Sequence, residues 1–213
     1  MIRKYLEKRA LKKLNKGWLL YDQKDRKEAS RIALKYVNSK KPHIKQNAIR
    51  LLGLSYYKMG NYDLSIKTFI QLTDITHYKQ DYYSLAQSYL NDEQVDKAME
   101  AFEKITTAKA PATVYAFSHG ELLLQFGKRL YQKGYYPESI TLLNQLMSFY
   151  AGVRSIDSKI LFERGLPEFH FFEDWVKKII PIHHNDPSQW WFQAQKVIPE
   201  KAKKRLAIYF KTL

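Results

Sequence analysis

The chain has 213 residues, of which 45% are hydrophobic and 15% aromatic, and this is enough apolar material for a core in one or two domains. It carries 36 Lys or Arg residues, 21 Asp or Glu residues, a formal net charge of +15 and no cysteine. The lack of cysteine excludes a disulfide framework, thiolate catalysis and cysteine-ligated metal centres. Charged residues interrupt the apolar runs, so neither a signal peptide nor a span of roughly 18 apolar residues is predicted, and we expect a cytoplasmic protein.

Most of the excess positive charge lies in residues 1–50, which contain 16 Lys or Arg against 4 Asp or Glu. Arg9, Lys12, Lys13 and Lys16 follow the spacing i, i+3, i+4, i+7 and would share one face of a helix, here called the basic stripe. Such a stripe attracts acidic proteins, nucleic acid such as RNA, or an anionic membrane surface without choosing between them. The alternative is a solvated face with no partner.

The first predicted element is a helical hairpin in the stretch LNKGWLLYDQKDRKEASRIALKYV. Small residues at Gly17, Ala29 and Ala33 favour close packing of its two helices. Lys13 and Lys16, however, stand where large apolar residues would pack. This hairpin is therefore predicted either as an atypical end repeat or as a helical hairpin alone.

Three further hairpins share one spacing. In AIRLLGLSYYKMGNYDLSIKTF, residues 48–69, Gly53 lies on the face of one helix, Gly60 ends that helix, and Ser65 lies on the face of a second. YYSLAQSYLNDEQVDKAMEAFEKI repeats the pattern 33 residues later, and LLQFGKRLYQKGYYPESITLLNQL repeats it again. These units resemble the tetratricopeptide repeat, a helix–turn–helix unit with small and large apolar residues at fixed offsets. The resemblance implies an all-α fold, a right-handed α-solenoid with about four repeats in residues 1–153.

Paired helices approach closely only where the facing side chains are small. Three such contacts are expected, which pair Gly53 with Ser65, Ala86 with Ala98, and Gly127 with Ser139. Gly60 and Gly134 are expected at positive φ, where each ends the first helix of its hairpin. The third hairpin has no glycine in its turn, and Asn91 is the expected left-handed residue there.

The interval from Ala86 to Gly127 is 41 residues, longer than the 33 residues between the preceding copies. Pro111 can occupy the first turn of a helix. We therefore predict a lengthened first helix in the fourth repeat, over residues 111–132, whose extra turns project past the stack. The alternative is a break near His119–Gly120.

After residue 153 the repeat pattern fades, and three helices are predicted to begin at Pro167, Pro187 and Pro199. Residues 154–213 are predicted to form a C-terminal helical cap over the apolar face of the last repeat. The large aromatic residues of this region are predicted to be cap core rather than a binding site, and they are Trp175, Trp190, Trp191 and Phe192.

The resemblance also implies a concave groove lined by the first helix of each repeat, which in tetratricopeptide proteins binds an extended peptide or a partner helix. The predicted groove residues, in which aromatic and apolar side chains alternate with cations and amides, are Trp18, Tyr21, Arg50, Leu54, Tyr57, Lys58, Tyr83, Gln87, Leu90, Asn91, Leu124, Lys128, Tyr131 and Gln132. Such a lining suits a partner with apolar and acidic residues. For several of the aromatics the alternative is inter-repeat core.

The remaining candidate for chemistry is a group of histidines and carboxylates in the C-terminal region, His170, Glu173, Asp174, His183, His184 and Asp186. Such residues can ligate zinc, but His183 and His184 are adjacent and would point to different sides of a helix. No HExxH motif or glycine-rich phosphate loop is present. We therefore predict no enzyme, no metal and no cofactor, but an adaptor or scaffold for a protein partner. The alternative is RNA or membrane binding through the basic stripe.

Overall fold

The structure is a computed structural model that describes residues 2–109 and 118–210. The chain divides into two compact units, Met1–Ala116 (unit 1) and Phe117–Leu213 (unit 2). The described residues form twelve α-helices, one short 3₁₀ helix and no strand beyond an isolated bridge between Tyr78 and Lys109. The predicted all-α fold of helical hairpins is confirmed.

The described residues of unit 1, 2–109, form three hairpins that follow one another in chain order. Its helices are α1 (Ile2–Asp22), α2 (Arg26–Leu34), α3 (Pro42–Lys58), α4 (Tyr62–Thr76), α5 (Lys79–Asn91) and α6 (Val95–Glu103), and the 3₁₀ helix Lys104–Thr106 follows α6. Each helix packs against the next, and α3 also packs against both α1 and α5. The first helices of the hairpins are therefore neighbours within this unit.

The first hairpin packs on the second through a cluster of buried apolar side chains. Leu14 of α1 is completely buried in this cluster, together with Ala48 and Leu51 of α3. Lys13 and Lys16 lie on the exposed side of α1. The two lysines therefore do not disturb the packing, because they stand outside the face that α1 turns toward α2 and α3.

A left-handed residue ends the first helix of each hairpin in unit 1, at Lys24 (φ 70°), Gly60 (φ 78°) and Glu93 (φ 60°). Each stands seven residues after the small residue of its helix, Gly17, Gly53 or Ala86. The prediction for Gly60 is confirmed. The prediction for Asn91 is wrong, because α5 continues through Asn91 and the turn comes two residues later, at Glu93.

The contact between Gly53 and Ser65 joins three helices. The Ser65 hydroxyl donates a hydrogen bond to the Gly53 carbonyl oxygen at 3.0 Å, and it lies 2.8 Å from the Ser88 hydroxyl of α5. A Cβ at position 53 would stand 3.0 Å from the ring of Phe69. The predicted close approach of α3 and α4 is thus confirmed, and a side chain larger than hydrogen has little room there.

Unit 2 begins with a fourth hairpin and continues with four more helices. Its elements are α7 (His119–Gln132), α8 (Tyr136–Ala151), α9 (Ser158–Glu163), α10 (Phe169–His183), α11 (Pro187–Val197) and α12 (Glu200–Phe210). The predicted domain boundary between residues 153 and 154 differs from the division of the structure, which places the fourth hairpin and the C-terminal helices in one unit. The reason is that α10 packs directly against α7 and α8.

The prediction of one continuous helix over residues 111–132 is wrong, because α7 begins at His119. Ser118 is extended (ψ 160°), and its hydroxyl accepts a hydrogen bond from the Glu121 amide. The Glu121 carboxylate in turn accepts one from the Ser118 amide, which completes a capping box. The break therefore falls at the alternative position, near His119–Gly120, and residues 110–117 lie outside the described residues.

A tryptophan of α10 fills the space at the helix–helix contact of the fourth hairpin. The Ser139 hydroxyl donates to the Gly127 carbonyl oxygen at 2.8 Å, which confirms the predicted pair. The indole nitrogen of Trp175 donates to the Ser139 oxygen at 3.1 Å, and a Cβ on Gly127 would stand 2.0 Å from the Trp175 ring. Relative to its hairpin, α10 thus takes the place that α5 takes beside α3 and α4.

The aromatic residues of the C-terminal region are not all core. Trp175 and Trp190 are 1% and 5% exposed, and the Trp190 indole donates to Asn144 of α8 at 2.7 Å. Trp191 is half-buried and stacks on Phe210. Phe192 is 54% exposed, so its prediction as core is wrong. On α11, its side chain points away from the packed face that carries Trp190.

We expect Gly127→Ala to lower the free energy of unfolding by about 2 to 3 kcal/mol through overpacking against Trp175. Gly53→Ala should lower the free energy of unfolding by a smaller amount, because Phe69 leaves more space than Trp175 does. Gly53→Leu should lower it by more than about 2 kcal/mol. Urea unfolding measures these changes. Gly152→Ala is the matched control, since its Cβ would meet only the Phe149 carbonyl oxygen at 3.6 Å. Equal stability of all four variants would contradict the packing assignment.

Candidate functional site

The first helices of unit 1 bring a row of half-buried side chains to equivalent positions. Tyr21 of α1 and Tyr57 of α3 each stand four residues after the small residue of their helix, and both are partly exposed. Leu90 holds that position in α5 but is only 2% exposed, so its prediction as a groove residue is wrong. The Leu90 side chain packs in the core of unit 1 instead.

Trp18 and Tyr21 form a fixed aromatic pair on α1. The Trp18 indole donates a hydrogen bond to Asn47 of α3 at 2.6 Å, and the Trp18 ring lies edge-on to Tyr21 with centroids 5.8 Å apart. The Arg26 guanidinium stands 5.6 Å from the centre of the Tyr21 ring. Burial raises the pKa of the Tyr21 hydroxyl, and the nearby Arg26 charge partly opposes this effect.

Tyr57 links α3 to the next hairpin. Its hydroxyl accepts a hydrogen bond from the Asn91 amide group of α5 at 2.7 Å, and its ring packs edge-on against Tyr62. The Lys58 ammonium lies 5.6 Å from the centre of the Tyr57 ring and is exposed. The structure therefore brings the predicted residues Tyr57, Lys58 and Asn91 together, with the aromatic ring held in place by a neighbouring helix.

Arg50, predicted as a groove residue, is paired with a buried carboxylate of the protein itself. Its guanidinium forms two hydrogen bonds of 2.7 Å with Asp81 of α5, a carboxylate that is 1% exposed. The Thr76 hydroxyl donates a third bond to Asp81 at 2.7 Å. A buried carboxylate needs this cation, so Arg50 joins two hairpins instead of lining a groove as a free charge.

The other predicted residues of unit 1 differ in exposure. Tyr83 is half-buried and lies edge-on to Phe102 of α6, with centroids 6.3 Å apart, so its ring packs within its own hairpin. Leu54 and Gln87 are partly exposed. Tyr83 thus packs inside its own hairpin, whereas Tyr57 contacts the next hairpin through Asn91.

The four predicted residues of unit 2 face the C-terminal helices or solvent. Lys128 lies with its ammonium 5.2 Å from the centre of the Phe171 ring of α10, and Tyr131 packs against Tyr136 and His183. Leu124 is 7% exposed, whereas Gln132 is exposed. These residues depart from a simple groove lining because α10 packs against α7.

The basic stripe is exposed along its whole length. Arg9, Lys12, Lys13 and Lys16 line one surface cleft on α1 together with Tyr5 and Lys8. Among residues 2–109 and 118–210, the ion pairs formed do not include any of the four stripe cations. Tyr5 and Lys8 were missed from the sequence, although Lys8 continues the same spacing toward the N-terminus.

The histidines and carboxylates of the C-terminal region have separate partners. Glu173 is 9% exposed and pairs with Arg205 of α12. His170 lies 3.2 Å from Glu168, and His183 stacks on Tyr136 with centroids 3.6 Å apart. Within the described part of the chain, no group of three or more His, Asp or Glu side chains is arranged to hold a metal ion. The helices described are also too short or too polar to cross a membrane.

We expect Arg50→Leu to lower the free energy of unfolding by about 3 to 5 kcal/mol, because it leaves the Asp81 carboxylate buried without its cation. Arg31→Leu is the matched control, since it removes an exposed pair with Glu28 and should cost no more than about 1 kcal/mol. Urea unfolding of the three proteins measures both losses. A loss for Arg50→Leu no larger than that of the control would contradict the role given to this pair.

Comparison with known proteins matches two segments of unit 1 to a family. Residues 48–75 and residues 82–110 each match a pattern described as tetratricopeptide repeat. Among solved structures, a protein from Bacteroides ovatus ATCC 8483, provisionally described as a protein-binding protein, is 15% identical over 95% of this chain and 96% of its own, with a TM-score of 0.39. No match to a curated protein was found.

Proposed function

The chain is a tetratricopeptide-repeat protein, and from this premise we propose that it is a non-catalytic scaffold that holds a peptide or helix of a partner protein on the first helices of unit 1. Tetratricopeptide repeats are protein-interaction units and are generally non-catalytic. The proposal therefore assigns the protein no reaction and no cofactor. It places the contact surface at Trp18, Tyr21, Tyr57 and Lys58.

The observation that carries the proposal is the restrained state of the partly exposed aromatic residues. Trp18 is held by Asn47, and Tyr57 by Asn91, in each case through a hydrogen bond to the next hairpin. Side chains that are already ordered lose little entropy when a partner binds. Large aromatic side chains of this kind are also the commonest binding hot spots.

The charge of the surface indicates the chemistry of the partner. Lys58 is exposed beside Tyr57, and the basic stripe covers the outer side of α1. A partner with apolar residues for the aromatic rings and acidic residues for these cations fits both features. Because exposed charges act over about 10 Å at moderate salt, the basic stripe would mainly accelerate the approach of such a partner.

We expect the double variant Tyr57→Ala/Lys58→Ala to weaken partner binding by about tenfold or more, because it removes an anchoring ring and its neighbouring charge. The measurement is an affinity pull-down from source lysate treated with nuclease and eluted by stepwise salt. Phe192→Ala/Lys196→Ala is the matched control, since it removes an exposed Phe–Lys pair in unit 2. Equal recovery of one protein by wild type and both variants would contradict the proposed surface.

The exposure of the basic stripe supports a second candidate function, the binding of RNA. Cations without protein counter-charges can release counterions from phosphates, so log affinity should fall linearly with log salt, by about 0.7 per phosphate contact on a single strand. Replacement of Arg9, Lys12, Lys13 and Lys16 by Gln should then abolish binding to a labelled single-stranded RNA and flatten the salt dependence. Unchanged RNA binding by this variant, or none by wild type, would exclude this function. Vesicles with anionic lipid provide the parallel test for a membrane surface.

A further inference from the structure

A pocket of about 440 Å³ lies in unit 2, between α7, α9 and the start of α10. Its apolar lining consists of Leu124, Phe162, Leu166, Pro167 and Phe171. A volume of this size lies at the lower end of the range for ligand pockets. It can accept one large side chain and a few neighbouring atoms, but not a whole helix.

The two phenylalanines of this pocket are unusually accessible. Phe162 is 84% exposed and Phe171 43% exposed, whereas Phe169, Phe172 and Trp175 in the same unit are at most 2% exposed. The core of unit 2 thus buries three other aromatic rings completely, whereas the rings of Phe162 and Phe171 stay accessible to solvent. Large exposed apolar side chains around a concave surface are typical of interaction sites.

Lys128 is the cation that lines the pocket, beside two carboxylates, Glu121 and Glu168. Its ammonium lies over the Phe171 ring, and burial lowers the pKa of Lys128, an effect that Asp174 opposes and Lys178 adds to. No carboxylate in the described part of the chain forms an ion pair with it. A partly desolvated cation that forms no ion pair at close range can bind an anion supplied by a ligand.

The two acidic residues of the pocket are already engaged. Glu121 closes the capping box of α7 with Ser118, and Glu168 lies 3.2 Å from His170. Glu121 also stands two helical turns before Lys128, which separates them by about 10 Å along the helix axis. An anion beside Lys128 would therefore not meet the Glu121 carboxylate at close range.

We propose that this pocket binds a partner peptide by receiving an aromatic or large aliphatic side chain between Phe162 and Phe171 and a neighbouring carboxylate at Lys128. The proposal rests on the scaffold function proposed above but adds a second contact site, independent of the surface on α1 and α3. It also gives a function to α9, whose sequence does not belong to a repeat.

The test selects a displayed library of random seven-residue peptides on the full chain. Wild type should enrich peptides with an aromatic or large aliphatic residue close to Asp or Glu. Lys128→Glu should change the enriched acidic residue to Lys or Arg, and Lys128→Gln should remove the preference for charge. Phe162→Ala should weaken binding of a selected peptide by about tenfold or more, as for an anchoring ring.

Two further variants separate this site from the others. Phe192→Ala/Lys196→Ala should keep the wild-type selection, because that exposed Phe–Lys pair lies on α11, outside the pocket. Tyr57→Ala/Lys58→Ala should also keep it, which distinguishes the pocket from the surface of unit 1. The Lys128 and Phe162 changes are therefore also tested in this double variant, where peptides bound by the unit 1 surface do not mask their effect. No enrichment of acidic apolar peptides by wild type would overturn the proposal. Selection of the same peptides by Tyr57→Ala/Lys58→Ala with and without Lys128→Gln or Phe162→Ala would overturn it as well.

Discussion

The structure depends on the close approach of paired helices at a glycine and a serine. At Gly53 and Gly127 the missing side chain lets the second helix come near enough for a serine hydroxyl to donate to the glycine carbonyl oxygen. That hydroxyl is completely buried, so all of its hydrogen bonds must be formed within the protein. It therefore also bonds to a third helix, through Ser88 of α5 in unit 1 and Trp175 of α10 in unit 2. One small polar contact thus sets the register of three helices at once.

The residue that the third helix brings to this contact differs between the two units. Ser88 is small, and α5 forms a further hairpin with α6, whereas Trp175 fills the space over Gly127 with a large ring. Beyond it, Phe172 and Val176 of α10 are also completely buried. α10 is therefore not a copy of α5, although it also bonds to the serine of its hairpin. It covers the apolar face of its hairpin, which a repeat without a successor would leave exposed.

Much of the fold could be predicted because its determinants are local and repeat at a fixed spacing. The small residues and the turns at Gly60 and Gly134 are of this kind, and both glycines have positive φ. The start of α7 is also encoded in the sequence, since Ser118 and Glu121 have the spacing of a capping box, which is a more specific signal than an isolated proline such as Pro111. Glu93 could not be found, because a positive φ at glutamate has no signal of its own. The Arg50–Asp81 pair could not be predicted either, because tertiary packing brings together two residues that are 31 positions apart in the sequence.

The residues of the candidate site were harder to predict than the fold, because many of them have two kinds of contact. Residues on the first helix of a hairpin contact both the neighbouring helix and solvent, and sequence offset alone does not separate these contacts. Tyr57 belongs to both classes, because Asn91 bonds to its hydroxyl while part of its ring stays exposed. Its replacement changes stability and binding together, so the two effects have to be measured separately. Phe162 is different: at 84% exposure it contributes little to the core, and a change in binding on its removal reports on the surface alone. Exposed residues of non-repeat segments are therefore the clearer probes of function in this chain.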